Sequence, residues 1–340
     1  MEQLIRFYVG IDVSKPYFDA SIMRVFNHKK GDLQTEQFAN TKAGLLLFKK
    51  WCKEAGVQTL DQLFVVIENT GVYHRPIWQF CSDQNITLHI GNAAHIKWSL
   101  GITRGKNDKI DSVRLCNFAF KNHDELQPTS ALNPVFIQLK DLMTARTKLL
   151  CQYSSTKSYL KELTPSNDKA TQSIMEQAHK AALEGIKKSI VTIEAAIKKI
   201  IDADAAIKKN YNLIKTIPGI GHLTAVYIIC CTNNFAGKIS GKQLASYAGV
   251  VPFEHSSGIS VKGKNRVHKM ANKNLKKLLH LCALAAIKYD AEMKAYYDRK
   301  KAEGKNGMLV LNAIRNKLIL RVAAVVNKQT PFVSNYKYAC

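Results

Sequence analysis

The sequence predicts an α/β N-terminal domain, a helical and coiled-coil-like middle segment, and a mainly α C-terminal domain. Three observations lead to this fold class. Short β-rich runs alternate with helical patterns at the start of the chain, which is typical of a mixed sheet covered by helices. A stretch rich in Lys, Ala and Ile follows, and helical patterns resume after a glycine-containing turn. We place the domains at 1–125, 126–212 and 213–340.

The N-terminal segment justifies the α/β prediction element by element. Short runs of apolar and β-branched residues predict strands, and apolar residues at spacings of three and four predict helices. The predicted strands are Phe7–Ile11, Phe18–Val25, Leu33–Ala39, Leu63–Ile67 and Ile86–Ile90, and the predicted helices are Thr41–Ala55, Tyr73–Cys81 and Lys106–Lys121.

The middle segment, Asn133–Asn210, is helix-prone, with one predicted break at Thr164–Asn167. Isoleucine recurs there at spacings of three and four, which predicts an amphipathic helix. The apolar stripe consists of Ile186, Ile190, Ile193, Ile197, Ile200 and Ile201. Such a stripe packs either against a second copy of the chain or against its own domain. The sequence leaves both alternatives open.

The C-terminal segment opens with the turn Ile217–Gly221 (IPGIG), which resembles the turn of a helix-hairpin-helix motif. Glycines such as Gly219 and Gly221 let backbone N–H groups approach a phosphate at a helix N-terminus. A plain helix-entry turn is the alternative. The helices predicted in this segment are Leu223–Cys231, Gly241–Ala248, Lys273–Ile287 and Asn312–Val326.

The net charge of +24 is concentrated in the C-terminal segment. The three segments carry net charges of +3, +5 and +16 in chain order. A folded domain with this excess repels itself, so we expect a polyanionic partner and contacts to a phosphate backbone. No apolar run reaches the length of a membrane span, and the N-terminus has no secretory pattern. We therefore expect a cytoplasmic protein, with reduced cysteines because no C-x-x-C pair occurs.

Four acidic residues predict a metal site. Asp12 and Glu68 each follow a predicted strand, and Asp108 and Asp111 lie three residues apart at a helix start, where they share one face. Open α/β folds place their sites at such strand ends, and carboxylates that converge there need cations. Hard oxygen ligands favour Mg²⁺. Taken singly, each acid is equally consistent with a turn or a helix cap.

Basic residues flank both the acids and a serine in the C-terminal segment. Lys15, Arg104, Lys106 and Lys109 flank the acids, where they either hold phosphates beside the metal or form a solvated charged loop. Ser257 precedes Gly258 in a basic, irregular stretch, where a serine can attack a phosphodiester, although an S-S-G sequence is more often a plain loop. The predicted nucleic-acid contacts there are Lys262, Lys264, Arg266, Lys269, Lys273 and Lys276.

Five motifs in order make the whole chain resemble the insertion-sequence transposases of the IS one-ten (IS110) family, also described as bridge-RNA-guided recombinases. The motifs are GIDVSK at Gly10–Lys15, ENTGVY at Glu68–Tyr73, KNDKIDS at Lys106–Ser112, IPGIG at Ile217–Gly221, and the run from AGVVPFEHSSG to ANKNLKKLL. One local difference is Ala271, which stands where many members of the family have glycine.

The resemblance implies a RuvC-like (RNase H-like) N-terminal domain with a D-E-D-D set of metal ligands. These map onto Asp12, Glu68, Asp108 and Asp111. It also implies a transposase domain whose serine nucleophile maps to Ser257, although the adjacent Ser256 remains possible. The acids and the serine of different subunits are expected to form one site in a dimer or tetramer. A structured non-coding RNA is expected to pair with donor and target DNA.

We therefore predict a DNA transposase that forms a phosphoserine intermediate with Mg²⁺ as cofactor. No ATP-binding P-loop pattern is present, and a covalent intermediate would make ATP unnecessary. A RuvC-like nuclease that hydrolyses branched DNA is the second hypothesis. A non-catalytic nucleic-acid-binding protein is the third, and the clustered acids argue against it because they would repel a polyanion.

Overall fold

The computed structural model describes residues 5–100, 108–163, 168–237, 239–253, 256–257, 261–262, 267 and 271–334, and of residues 256, 257, 261 and 262 only the backbone. The chain divides into two compact units, Met1–Asn133 and Pro134–Cys340. The predicted division of the second unit at residue 212 stays a prediction. Each unit is described below by itself.

Unit 1 contains a five-stranded mixed sheet, which confirms the α/β prediction. Its strands are β1 (Ile5–Val13), β2 (Tyr17–Phe26), β3 (Lys29–Ala39), β4 (Leu63–Glu68) and β5 (Thr87–Gly91), in the spatial order β3-β2-β1-β4-β5. Strands β1, β2 and β3 are antiparallel, and β1, β4 and β5 are parallel. Both β1 and β4 are almost entirely buried, as expected for central strands.

Helices cover both faces of this sheet. They are α1 (Lys42–Glu54), α2 (Arg75–Asp83), α3 (Ala93–Ser99) and α4 (Asp108–Asn122), together with a short 3₁₀ helix at Leu60–Gln62. Phe48 of α1 and Ile77 of α2 belong to the core on one face. Leu115 and Phe118 of α4 belong to the core on the other. Successive strand residues point to opposite faces, so Val9 of β1 belongs to the first core and Tyr8 to the second.

Unit 2 is mostly helical, as predicted. Its helices are α5 (Pro134–Leu163), α6 (Lys169–Ala203), α7 (Ala205–Lys215), α8 (His222–Cys231), α9 (Gly241–Tyr247), α10 (Lys273–Tyr289), α11 (Ala291–Ala302) and α12 (Gly307–Lys328), and two short strands, β6 (Ser256–Ser257) and β7 (Val261–Lys262), pair antiparallel. The predicted break at residues 164–167 lies outside the described residues. Within the described ranges, no helix is both long and apolar enough to cross a membrane.

The long helices α5 and α6 pack antiparallel. Arg146 of α5 forms an ion pair of 2.7 Å with Glu194 of α6, and further along, the Tyr159 and His179 rings lie 6.0 Å apart. The isoleucine stripe of α6 is half-buried to fully buried, and Ile197 belongs to the same core as Leu139 of α5. This part of the stripe therefore packs within its own unit. Pairing with a second copy stays a prediction.

The cysteines of the described residues are free thiols, as the sequence predicts. Cys52, Cys81 and Cys116 are buried in unit 1, and burial raises the pKa of each of these thiols to about 12. Thiols with such a high pKa stay protonated near neutral pH, so they are poor nucleophiles and poor metal ligands. These cysteines are core residues of the sheet domain.

Candidate active site

The four predicted acids lie at one edge of the unit 1 sheet. Strands β1 and β4 run parallel with Ile11 beside Ile67, so Asp12 and Glu68, the next residues along each strand, leave the sheet at the same edge. Helix α4 begins at Asp108, which puts Asp108 and Asp111 in its first turn. The structure thus brings together acids that are about a hundred residues apart in sequence.

Gly10 allows α4 to lie directly on β1. A Cβ atom at this position would overlap backbone atoms of Ser112 and Cys116. Two hydrogen bonds fix the contact: the hydroxyl oxygens of Ser112 and Ser21 lie 2.8 Å apart, and the Cys116 thiol donates to the Tyr8 carbonyl at 3.2 Å. The close approach positions the first turn of α4 beside the end of β1. This role of Gly10 was not predicted, although a glycine in a buried strand often marks the close approach of another backbone.

We expect Gly10→Ala to destabilise unit 1 by about 3 kcal/mol or more, because the added methyl group cannot fit between two backbones. Urea unfolding monitored by circular dichroism measures the loss. Gly185→Ala is the matched control, since no described atom lies within 4 Å of a Cβ there. That change in the middle of α6 should stabilise the protein by up to about 1 kcal/mol. Equal unfolding curves for Gly10→Ala and the wild-type protein would refute the packing argument.

The four carboxylates repel one another. Asp12 is half-buried, and its pKa is raised to about 6, first by burial and then by the negative charges of Asp108, Asp111 and Glu68. A carboxyl group whose charge is opposed by three others is a site that a cation would stabilise. The raised pKa therefore fits the predicted metal site on electrostatic grounds.

Two of the acids are engaged by neighbouring side chains. The Tyr17 hydroxyl donates to Asp108 Oδ2 at 3.3 Å, and Arg114 forms an ion pair of 2.7 Å with Asp111. Across the described residues, no group of three or more acidic, histidine or cysteine side chains is close enough to hold one ion. Binding of a shared ion therefore requires side-chain rotation, which for Asp111 means leaving Arg114.

Two buried oxygen atoms without a described partner lie on loops at this edge, one after β3 and one after β4. Thr70 comes two residues after Glu68, and Asn40 donates to the Ser14 and Tyr73 carbonyls that flank the same edge. Thr70 Oγ1 and Asn40 Oδ1 are buried and accept no hydrogen bond from any described residue. Hard oxygen atoms with unused lone pairs suit a hydrated divalent cation. The residues at this edge thus fit such an ion in charge and donor chemistry.

The structure describes two of the four basic residues predicted beside the acids. Lys15, which follows β1, and Lys109 of α4 are both exposed. Arg104 and Lys106 lie outside the described residues. Nucleic-acid contact by all four stays a prediction.

Gly219 of the IPGIG turn has a structural reason to be glycine. Its φ angle is +88°, and a Cβ there would lie 2.7 Å from the Cys282 carbonyl oxygen and 2.8 Å from the Ala286 nitrogen of α10. The turn joins α7 to α8, and Gly221 is the N-cap residue of α8. Packing against α10 thus accounts for Gly219 without a ligand. Phosphate contact by either glycine stays a prediction.

Ser257 lies in a short hairpin. The backbone pairs Ser257 with Val261 and Ser256 with Lys262. Among the basic residues predicted around the serine, Lys264, Arg266 and Lys269 are outside the described residues, and only the backbone of Lys262 is described. Lys273 is exposed and Lys276 is half-buried, both in the first two turns of α10. We call residues 251–270 the serine segment below.

Both ends of the serine segment are anchored to the helical core. Asn272, the N-cap residue of α10, donates from its side chain to the Tyr247 hydroxyl at 2.8 Å and accepts from Tyr227 at 3.1 Å. Its backbone N–H donates to the Tyr247 carbonyl, also at 2.8 Å. At the other end, Asn312 donates to the Val250 carbonyl at 2.8 Å. Sequence analysis singled out none of these anchors, because polar residues without charge periodicity give no signal.

Two family profiles match the chain in order. DEDD_Tnp_IS110, described as "Transposase", matches residues 9–165. Transposase_20, described as "Transposase IS116/IS110/IS902 family", matches residues 211–298. The four acids fall within the first range and Ser257 within the second.

Curated relatives agree with the profiles. A pilin gene-inverting protein of Moraxella bovis is 27% identical over 339 residues, which cover 96% of this chain and 97% of the relative. The uncharacterized 43.6 kDa protein of insertion element IS110 from Streptomyces coelicolor is 30% identical over 122 residues, or 36% of this chain and 30% of the relative. The transposase for insertion sequence element IS1328 of Yersinia enterocolitica is 32% identical over 124 residues, 34% of each chain.

An α/β domain with acids at one sheet edge, a basic helical domain and these matches together define a DNA transposase, a class of DNA recombinase. The chain belongs to the IS110 family of transposases.

Proposed function

We propose that this transposase cleaves and rejoins DNA strands through a phosphoserine link at Ser257, with Mg²⁺ held by Asp12, Glu68, Asp108 and Asp111. The observation that carries the proposal is the convergence of the four carboxylates at one sheet edge, where burial and the charges of the other three raise the pKa of Asp12. A DNA-acting protein has no use for uncompensated negative charge beside its substrate, whereas a metal-dependent enzyme does. The finer fold assignments, a RuvC-like unit 1 and a helix-hairpin-helix at the IPGIG turn, belong to this proposal.

The chain's own residues would prepare the phosphate and the ion site. The four carboxylates would hold the ion, and Thr70 and Asn40 would bind its water ligands. A bound Mg²⁺ supplies stabilisation of negative charge on the phosphate oxygens. Tyr17 and Arg114 orient Asp108 and Asp111 before the ion binds.

The covalent step conserves the phosphodiester bond. Ser257 Oγ forms a bond to phosphorus and loses its proton, while one bridging deoxyribose oxygen leaves and takes up a proton. The reverse reaction with the hydroxyl of another strand rejoins the DNA, so no ATP is required. Basic residues of the serine segment would stabilise the charge that develops on the phosphate.

Strand exchange, rather than cutting alone, is supported by the full-length relative. Inverting a gene requires cleavage and rejoining, and the name of the Moraxella bovis relative describes inversion. We further propose that a structured non-coding RNA selects the donor and target DNA, and that a dimer or tetramer brings acids and serine of different subunits together. These two proposals rest on the motifs quoted in the sequence analysis.

The test is a reaction of the purified protein with Mg²⁺, the RNA of its own element and donor and target duplexes. We expect recombinant DNA and a protein–DNA adduct on a denaturing gel, both lost without RNA or with EDTA. Equal recombination without RNA would refute guidance by RNA while leaving the cleavage chemistry intact.

A metal-dependent nuclease is the second candidate. The observation that favours it is that the four acids lie within a unit that has its own hydrophobic cores. Hydrolysis of branched DNA at an undiminished rate by Ser257→Ala, with no adduct from the wild-type protein, would establish this alternative.

A further inference from the structure

Helix α12 of unit 2 contains a buried arginine that has no carboxylate partner among the described residues. Arg315 is only 5% exposed. Its NH2 group lies 2.6 Å from His280 Nδ1, and its NH1 group donates to Asn312 Oδ1 at 3.4 Å. Its Nε atom is buried and donates to no described residue, and no described acid forms an ion pair with it. Buried arginines are almost always paired, because an isolated buried charge is costly.

The same helix provides the contrast. Arg321, less than two turns further along, donates to Asp290 and to Glu292, each at 2.6 Å. This arginine therefore follows the usual rule for a guanidinium at a helix interface. The unusual environment of Arg315 is specific to its position.

The neighbours of Arg315 add positive charge instead of cancelling it. Lys276 lies one turn before His280 on α10, and its pKa is lowered by burial and by the charge of Arg315. A guanidinium can only donate, so His280 Nδ1 accepts and the ring proton lies on Nε2. Lys276 and His280 are half-buried. The group thus combines an ammonium, an imidazole N–H and a buried guanidinium, and all three are hydrogen-bond donors that suit an anion.

These three residues lie at the base of the serine segment. Lys276 Cδ would be 3.8 Å from a Cβ at Gly249, the residue before Val250. Asn312, which holds the Val250 carbonyl, accepts from Arg315. The unpaired charge is therefore connected to the first anchor of the segment that contains Ser257.

We propose that Arg315, Lys276 and His280 form a binding site for one phosphate group of the DNA backbone at the base of the serine segment. Lys276 and the Nε2–H group of His280 donate to the phosphate, and Arg315 supplies charge from beneath and fixes the His280 ring. The phosphate provides the counter-charge that Arg315 lacks. DNA is the ligand because Gly249 and Val250, which this group contacts, lead into the segment that contains the proposed nucleophile, and this choice rests on the proposed function.

The test compares Arg315→Met with Arg321→Met by fluorescence anisotropy, using the full chain and a short DNA duplex over a range of NaCl concentrations. We expect Arg315→Met to weaken DNA binding roughly tenfold at low salt. The magnitude of the slope of log affinity against log salt concentration should fall by about 1, the amount expected for the loss of one phosphate contact. The unfolding temperature without DNA should stay equal or rise, because removal of an unpaired buried charge relieves strain on the fold. Arg321→Met should lower that temperature and leave the slope unchanged.

Each contrary result overturns the proposal. An unchanged salt slope for Arg315→Met excludes a phosphate contact. The same titration is made with an RNA hairpin of equal length, and a loss of affinity for this RNA but not for DNA assigns the site to RNA. A lowered unfolding temperature that Glu254→Gln reproduces would assign Arg315 to an internal ion pair, since Glu254 is the only acid in sequence between His222 and Tyr289.

Two further variants keep the test decisive. If Arg315→Met does not fold, Lys276→Met and His280→Gln should each reduce DNA affinity, and the Lys276 change should also reduce the slope. Normal binding by both overturns the proposal. Ser257→Ala should bind DNA with the wild-type slope, so failure of the phosphate site is distinguishable from failure of the covalent mechanism.

Discussion

Ser257→Ala is expected to abolish the protein–DNA adduct and to reduce recombination by at least about a thousandfold, because no other group can replace the lost nucleophile. Ser256→Ala is the matched control. It also removes a serine hydroxyl, but one residue earlier, where the backbone pairs with Lys262 instead of Val261. The two serines therefore occupy different positions in the backbone ladder.

The measurement is adduct formation on a denaturing gel with end-labelled DNA, made for both variants and the wild-type protein. We expect Ser256→Ala to retain the adduct. An adduct that persists in Ser257→Ala and disappears in Ser256→Ala would move the nucleophile to Ser256. An adduct in both variants would exclude this hairpin from the chemistry.

Asp12→Asn is expected to have opposite effects on activity and on stability. Strand cleavage should fall by about a thousandfold, since metal-ion stabilisation of a phosphoryl transition state contributes several kcal/mol. In the absence of metal, the same change should stabilise unit 1 by about 2 kcal/mol, because it removes a charge that burial and three other carboxylates oppose. A residue that mattered only for folding would not give a gain in stability together with a loss of activity.

The stability difference should depend on pH with a defined sign. The pKa of Asp12 in the folded protein, about 6, lies above its usual value of 3.8. Folding is thus favoured by the protonated form, and the metal-free wild-type protein loses stability as pH rises through this range. Asp12→Asn should match the wild-type protein near pH 4 and exceed it above about pH 7.

Thermal unfolding with and without Mg²⁺ measures both effects. Mg²⁺ should raise the unfolding temperature of the wild-type protein at pH 7 and have a much smaller effect on Asp12→Asn. Glu36→Gln on exposed strand β3 serves as a control, since this carboxylate lies on the solvated edge of the sheet. A metal-free Asp12→Asn protein less stable than the wild type at pH 7 would contradict the predicted repulsion.

The five strands and three of the helices of unit 1 were predictable because their signals are local. The apolar run of β4 and the helical spacing in α1 depend on residues within one strand or a few turns. Helix α3 (Ala93–Ser99) was not predicted, and only Ile96 of its residues is buried. The convergence of Asp12 and Glu68 was also predictable, since parallel neighbouring strands end at one sheet edge. The proximity of α4 was not, because it depends on the contact of Gly10 with Ser112 and Cys116 about a hundred residues away.

Several features of unit 2 could not be predicted from the sequence. Helix α11 (AEMKAYYDRKKA) was missed because only Met293 of its residues is buried, so no apolar stripe marks it. The partner of the isoleucine stripe was left open, because a heptad-like pattern does not say which helix packs against it. In the structure, Ile197 shares a core with residues of α5. The unusual environment of Arg315 could not be predicted from the sequence. Its lack of a carboxylate partner among the described residues depends on three-dimensional packing.

The division of roles between the two units has a physical basis. Unit 1 concentrates negative charge at one sheet edge, and unit 2 concentrates positive charge in the segments that follow His222. Only the second can attract a nucleic acid at long range, whereas the first needs a cation before a phosphate can approach. Metal binding and DNA binding should therefore be measurable separately.

The most direct test of the central claim is mass spectrometry of the adduct. The wild-type protein, RNA, Mg²⁺ and DNA are reacted, the DNA is digested with nuclease, and the protein is cleaved with trypsin. We predict a nucleotide attached to the peptide of residues 243–262, with fragment ions that place it on Ser257. DNA cleaved at the normal rate with this peptide unmodified would contradict a phosphoserine mechanism and leave a metal-dependent nuclease in its place.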